Sequence, residues 1–235
     1  MNISEVFSYG YFAGTPDAPK ELRIFVIGVI ICAIASYLIG SINWGVILSH
    51  KYGKDIRDVG SGNAGATNMM RTFGKKAGAK TFILDFTKAA VASLIGRVLL
   101  GYIGAYIAGF FCIVGHAYPI FFKFKGGKGV VAIAAMCFFT EPIAFAVLLL
   151  IYLIVLFGYR MVSLASIMVA ALYPLTLGMF MRARGLGVIF AFLSGALVVY
   201  LHRANIQRIY DRTENKLNFK KARKESDSTD DDKKV

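Results

Sequence analysis

Long apolar runs alternate with short polar segments along this chain. Ile24–Leu48, Val98–Phe122 and Met161–Met181 are uncharged and each long enough to cross a hydrocarbon core of ~30 Å. Gly185–Leu201 is marginal in length, and Thr81–Gly96 is interrupted by Asp85 and Lys88, which lie three apart and so share one helix face. A further apolar stretch, Gly129–Tyr159, is divided by Glu141-Pro142. The pattern predicts an all-α polytopic membrane protein and excludes a soluble core.

Whether Gly129–Tyr159 is one helix or a hairpin decides between six and seven spans. Cytoplasmic loops carry the excess of Lys and Arg. With seven spans and the N-terminus outside, 21 of the 27 basic residues fall inside, five outside, and Lys88 within a span. With six spans the division becomes 12 inside and 14 outside. Seven is therefore expected, with the C-terminus cytoplasmic and with Glu141-Pro142 and Arg182–Arg184 facing out. The fourth span, Gly129–Thr140, is short: twelve helical residues reach only ~18 Å. Its N-terminus is expected to aim its dipole at the cytoplasmic surface.

Composition refines this picture. Hydrophobic residues make up 57% of the 235, charged ones 17%, and the net charge is +13. Part of that charge is ordinary topology signal, with some attraction to anionic membrane lipid. No extended basic face with interleaved aromatics suggests nucleic acid. Cys32, Cys112 and Cys137 lie in apolar runs without metal-ligand spacing and read as packing residues. Residues 1–23 form a polar lead-in without the features of a secretory signal. Residues 24–215 form one membrane domain, and 216–235 a charged tail of disordered composition. No internal repeat of the transporter type is evident.

The candidate chemistry lies in the polar segments. Val59-Gly-Ser-Gly-Asn-Ala-Gly-Ala-Thr-Asn-Met-Met-Arg71 is a glycine-rich loop with hydroxyls and amides that ends in a cation. Glycines let backbone N–H groups turn toward an anion, and the polar side chains add donors. The loop offers Ser61, Gly62, Asn63, Thr67, Asn68 and Arg71 as phosphate ligands. A second cluster, Phe124-Lys-Gly-Gly-Lys-Gly129, offers Lys125, Gly126, Gly127 and Lys128. His116 stands near the end of the third span, where bonding to a backbone carbonyl competes with a catalytic role. Ser166 opens the sixth span, where serines usually cap. His202, Asn205 and Arg208 follow at i, i+3 and i+6 on one face past the seventh. His50 and Asp55 match a His-x4-Asp acyltransferase pattern, but nothing resembling that group's other motifs follows. The Asp85–Lys88 pair reads as an ion pair facing the bundle interior.

Taken in order, Gly40-Ser-Ile-x-x-Gly, the loop ending at Arg71, Gly115-His-x-Tyr-Pro, Phe124-Lys-Gly-Gly-Lys-Gly-Val, Val162-Ser-Leu-Ala-Ser-Ile and His202-Arg-x-Asn-Ile closely resemble the bacterial acyl-phosphate:glycerol-3-phosphate acyltransferases, the PlsY family. The similarity covers about residues 24–215. It implies a seven-span inner-membrane enzyme with its site on the cytoplasmic face. Such an enzyme moves a fatty acyl group from acyl phosphate to the 1-hydroxyl of glycerol 3-phosphate, giving lysophosphatidic acid and phosphate. By motif, Ser61, Arg71, Lys128, Ser166, His202 and Asn205 match the family's substrate-binding and catalytic positions. Departures are an N-terminal extension, Arg160-Met161, Asp211-Arg212 and the acidic tail; none touches a matched site residue.

The chemistry is consistent with that resemblance. Acyl phosphate is a mixed anhydride with a good leaving group, so neither a protein nucleophile, a metal nor a cofactor is required. Arg71, Lys125, Lys128 and Arg208 can balance the two phosphates. The alcohol proton goes either to His202 or to a substrate phosphate. Besides the two substrates and membrane lipid, an enzyme that produces acyl phosphate is a candidate partner. A glycerol-phosphate transporter would use the same cations, but with repeats and mid-membrane charges. A CDP-alcohol phosphotransferase would need an Asp-rich metal motif that this chain lacks.

Overall fold

The computed structural model of the protein describes residues 2–14, 20–180 and 185–217. Its helices in chain order are α1 (Ile3–Tyr9), α2 (Leu22–Ser41), α3 (Trp44–His50), α4 (Ala66–Phe73), α5 (Lys75–Ala117), α6 (Val130–Thr140), α7 (Pro142–Tyr159), α8 (Val162–Phe180), α9 (Leu186–Leu201) and α10 (Arg203–Tyr210). The charged tail from residue 218 and Arg182–Arg184, expected to face out, lie outside the described residues.

By length and composition four units can cross a membrane: Leu22–His50, Lys75–Phe122, Pro142–Tyr159 and Val162–Met179. Helix α9 joined to α10, a pair bent by 54°, makes a fifth, and α6 is a short apolar helix. Lys75–Phe122 accommodates two of the seven expected runs. A straight 43-residue α5 would extend ~65 Å, about twice a bilayer core. Instead the helix breaks at Leu100 and Gly101, the latter at φ 64° and ψ −150°, a conformation suited to glycine. A methyl on Gly96 would overlap the Gly104 carbonyl, and one on Gly104 the Gly96 carbonyl. Residues eight apart touch only because α5 folds back into an antiparallel hairpin.

The break leaves backbone carbonyls exposed, and the N-terminal segment satisfies them. Tyr11 N–H donates to Val98 O at 2.9 Å and Phe12 N–H to Leu99 O at 2.8 Å. Helix α1 packs on α5, seated by Gly10 against the Leu100–Gly101 turn, so the segment from α1 to Phe12 forms part of the packed structure.

The first apolar run is also broken. Helix α2 stops at Ser41, and Asn43 caps α3 by accepting from Val46 N–H at 3.2 Å. Close approach of α2 and α5 requires glycine at Gly40 and Gly115, whose missing side chains leave room for the backbones of Cys112 and Tyr37. The division at Glu141-Pro142 stands, with Pro142 opening α7. Cys32, Cys112 and Cys137 are all buried free thiols in packing positions. Outward faces of α2 and α7 expose Ile30, Ile34, Leu150, Ile154 and Phe157, as expected for contact with lipid tails.

Candidate active site

A cavity of about 390 Å³ opens among α4, α5, α6, α7, α8 and the start of α10. One end is polar, with Ser61, Asn63, Thr67, Asn68, Arg71, Lys128, Ser166, His202 and Asn205 on its wall. The other is apolar, lined by Phe82, Phe86, Val131, Phe145, Leu149 and Leu153. Four polar clusters far apart in sequence thus meet at one place.

The first loop is pinned by Asn68 of α4. Its side-chain NH2 donates to Ile56 O at 3.1 Å and Val59 O at 3.0 Å, while its Oδ1 accepts from Ser61 N–H at 2.9 Å. Gly60, at φ +63°, passes so close that a Cβ would strike that Oδ1. Asn68 was expected to bind phosphate; the structure commits its amide to shaping the loop. Gly62 is likewise placed in a turn, its N–H donating to Val59 O at 3.1 Å, away from the cavity wall. The loop instead delivers the N-terminus of α4, where Ala66 and Thr67 have no helical carbonyl to bond and line the cavity.

In the second cluster the Gly126 and Gly127 N–H groups donate to Ala117 O and His116 O, each at 3.0 Å. They are bound to α5, not presented to a ligand. Lys125 is exposed and off the cavity wall, whereas Lys128 reaches in and donates to Asn205 Oδ1. Gly129, at φ 77°, starts α6, so that Gly129–Val131 put the expected helix N-terminus on the wall. Burial, with the positive charges of Arg208 and Arg71 nearby, lowers the Lys128 ammonium to about 8.

His202 sits just past the end of α9. Its Nδ1 lies 2.7 Å from Val198 O, so the ring donates there and leaves Nε2 as a bare acceptor. Burial lowers its pKa to about 4, a shift the Val198 bond opposes and the Lys128 charge reinforces. At neutral pH this ring is therefore uncharged. Ser166 in α8 returns its hydroxyl hydrogen to Val162 O at 2.8 Å, so it presents lone pairs to the cavity and is no helix cap.

Glu214 is a site residue that sequence reasoning missed. Buried at 8% exposure, it accepts from Asn205 Nδ2 at 3.0 Å and from Arg208 Nε at 2.9 Å. Burial alone would raise its carboxyl; the bonds from Arg208 and Asn205 outweigh that and hold it below the usual range. Arg208 itself is off the cavity wall and reaches it only through its bond to this carboxylate. Arg71 reaches Asn215 O at 3.5 Å, so the segment after α10 closes over the site. Arg57 was also missed. It pairs with Asp55 and donates to Phe122 O at 2.8 Å, tying the first loop to the second. Glu214 follows Asp211 in the same basic segment, so its charge did not single it out in the sequence, and no sequence signal distinguished Arg57.

Residues 30–212 match the family model described as glycerol-3-phosphate acyltransferase. The chain belongs to this family. A relative named glycerol-3-phosphate acyltransferase from Thermoanaerobacter pseudethanolicus is 40% identical over 193 residues, covering 81% of this chain and 96% of the relative. Glycerol-3-phosphate acyltransferase 3 of Bacillus anthracis is 39% identical over 192 residues, with the same two coverages. Among solved structures, the fold is similar to PlsY, described as an integral membrane glycerol 3-phosphate acyltransferase, in its glycerol 3-phosphate form. That comparison gives a TM-score of 0.77, 36% identity and coverage of 81% of this chain and 96% of the other. The lysophosphatidic acid form of PlsY gives a TM-score of 0.74 at 35% identity, covering 81% and 95%. The resemblance drawn from the loop motifs is confirmed at the level of the family, an integral membrane acyltransferase.

Proposed function

We propose that this family member transfers a fatty acyl group from acyl phosphate to the 1-hydroxyl of glycerol 3-phosphate, without metal, at the cytoplasmic face of a bacterial inner membrane. The observation that carries the reading is one cavity with a cationic end and an apolar end, which suits a phosphorylated polar acceptor beside a lipid-like donor. Arg71, Lys128 and the N-termini of α4 and α6 would balance the phosphates, Ser166 and Asn205 would orient the glycerol, and the Phe86–Leu149 wall would hold the acyl chain.

In the reaction, the glycerol O1 bonds to the acyl carbon and the carbon–oxygen bond to phosphate breaks. The hydroxyl proton must end on a base. An acyl phosphate dianion that gives up its acyl group would depart as a phosphate trianion, a far stronger base than the His202 ring, which burial holds at about 4. We therefore assign the proton of the 1-hydroxyl to the departing phosphate and give His202 Nε2 the neighbouring 2-hydroxyl to hold, because the single hydrogen of the reacting hydroxyl cannot go to both. Attraction of Lys128 and Arg71 to phosphate grows as charge moves onto the leaving group, and this is the differential binding that lowers the barrier.

Purified protein, acyl phosphate and labelled glycerol 3-phosphate should yield lysophosphatidic acid, unaffected by chelators. Acyl-CoA used at an equal rate with acyl phosphate inert would refute the donor, and loss in EDTA restored by a divalent ion would refute metal independence. The seven-span arrangement is tested by cysteine labelling in intact cells. A cysteine replacing exposed Lys20 should react from outside and one replacing exposed Lys54 should not; the reverse pattern would move the site to the other face.

A further inference from the structure

Beside the cavity, and unused by the mechanism above, lies a buried polar cluster formed by Asp85, Lys88 and His116, exposed by 3%, 6% and 6%. Lys88 Nζ lies 3.1 Å from Gly40 O, 2.6 Å from Ile42 O and 3.0 Å from His116 Nδ1. Asp85 Oδ1 adds a charge contact at 2.8 Å and makes no directed hydrogen bond of its own. The two carbonyls are available because α2 ends there, at the break before α3. An ammonium has three hydrogens and no lone pair. Its three directed bonds therefore go to the two carbonyls and to a ring nitrogen that must be an acceptor. With Nδ1 bare, the proton of a neutral His116 sits on Nε2. That edge of the ring faces Gly127, where any Cβ would collide with Nε2, and His116 is itself one of the residues lining the cavity.

We propose that Lys88 is a positioning residue that fixes His116 as a neutral imidazole with its proton on Nε2, so that the ring presents an N–H donor to the phosphate-binding end of the cavity. The arrangement is the reverse of His202, whose Nδ1 donates to Val198 O and whose Nε2 is bare. The cavity thus holds two neutral histidines of opposite tautomer, one donating toward anions and one accepting from a hydroxyl. A bare Nε2 at His116 would instead repel a phosphate oxygen.

The tautomers are read by 15N NMR of the histidine-labelled full chain in lipid nanodiscs, since protonated and bare ring nitrogens are well resolved. The chain has only three histidines, and loss of a signal in His116→Gln and in His202→Gln assigns them. Bare Nδ1 with protonated Nε2 is expected for His116, and the opposite for His202. Asp85→Asn/Lys88→Met removes both charges together and should release His116 to a mixture of tautomers. A protonated Nδ1 in wild-type His116, a charged ring, or an unchanged tautomer in the folded double variant would overturn the proposal. These readouts do not depend on activity.

The donor role rests on the proposed reaction and is tested by kinetics. His116→Asn keeps an acceptor at the Nδ1 position and loses the outer donor; His116→Gln keeps a donor at the Nε2 position. The Asn variant should raise KM for glycerol 3-phosphate or for acyl phosphate roughly tenfold, with kcat within about twofold, and the Gln variant should restore most of it. Separate KM values show which phosphate is contacted. Unchanged KM for both substrates in the Asn variant, or equal loss in both variants, would refute the donor role. Wild-type protein inactive with acyl phosphate would refute the reaction itself and leave the tautomer result standing.

Discussion

Lys128 offers the sharpest test, because its environment makes a pH signature that its neighbours do not share. Burial and the positive charges of Arg208 and Arg71 lower its ammonium from 10.5 to about 8. In the free protein about nine tenths of the molecules then carry the charge at pH 7 and about one tenth at pH 9. A phosphate monoester is already about nine tenths dianionic at pH 7 and more so above it, its second pKa being ~6. Since kcat/KM reports groups of the free enzyme, it should fall about tenfold per pH unit above 8. Lys128→Arg keeps its charge throughout and should lose this alkaline limb, though the wider guanidinium lowers the plateau. Lys128→Met removes a charge-assisted hydrogen bond of ~1.5–3 kcal/mol and should cost ten- to a hundredfold at pH 7. Stability moves oppositely. The unfolded chain holds this proton up to about 10.5 and the empty folded protein only to about 8. Folding is therefore opposed below pH 8, and the empty protein gains stability as pH rises from 8 to 10.5, by of order 3 kcal/mol for this group. Initial rates at pH 7–10, with melting of the empty protein in the same buffers, check both. A flat kcat/KM over that range, or the same alkaline limb in Lys128→Arg, would show that Lys128 is not the cation that receives phosphate.

Three further outcomes follow from the same geometry. Arg71→Lys should lose at least tenfold in kcat/KM, because an ammonium cannot make two parallel bonds to one phosphate, while exposed Lys51→Ala should stay near wild type; equal kinetics for the two would refute the bidentate role. His202→Gln should lower kcat without shifting the acid limb, since the wild-type ring becomes charged only near pH 4, and disappearance of a limb at pH 6–7 would restore this residue as the base. Glu214→Gln removes the carboxylate that holds Arg208 and Asn205 and should lower the melting temperature above pH 5. Because the folded carboxyl is held below its usual value, the difference from wild type should shrink as pH falls through that range, and a pH-independent difference would show that the charge is not what matters.

Several features were legible from residue order alone. Apolar runs of bilayer length can be buried only in lipid or in one another, so the class and the division at Glu141-Pro142 follow from the sequence. Glycine density also marked the first loop, because closely placed backbone needs it: Gly60 passes against Asn68, and no other residue fits there. Arg71, Lys128, Ser166, His202 and Asn205 could be named as site residues from their motifs, and all five stand on the cavity wall.

Which polar groups remain free for a ligand could not be read from the sequence, since a hydrogen-bonding group is spent or available only according to what packs against it. Gly126, Gly127 and Asn68 carry donors of the right kind, yet their bonds close onto Ala117, His116, Ile56 and Val59. Lys125 and Lys128 are three residues apart in one motif, and only the course of the backbone into α6 turns one outward and the other inward. Glu214 and Arg57 gain their roles from partners on other elements, at Asn205, Arg208 and Phe122. Histidine chemistry shows the limit most plainly. Composition assigns three imidazoles a common starting pKa, but burial, one carbonyl at Val198 and one ammonium at Lys88 decide where the protons of His202 and His116 reside. These are properties of the assembled bundle, because they depend on distances of a few ångströms between residues that the chain places far apart.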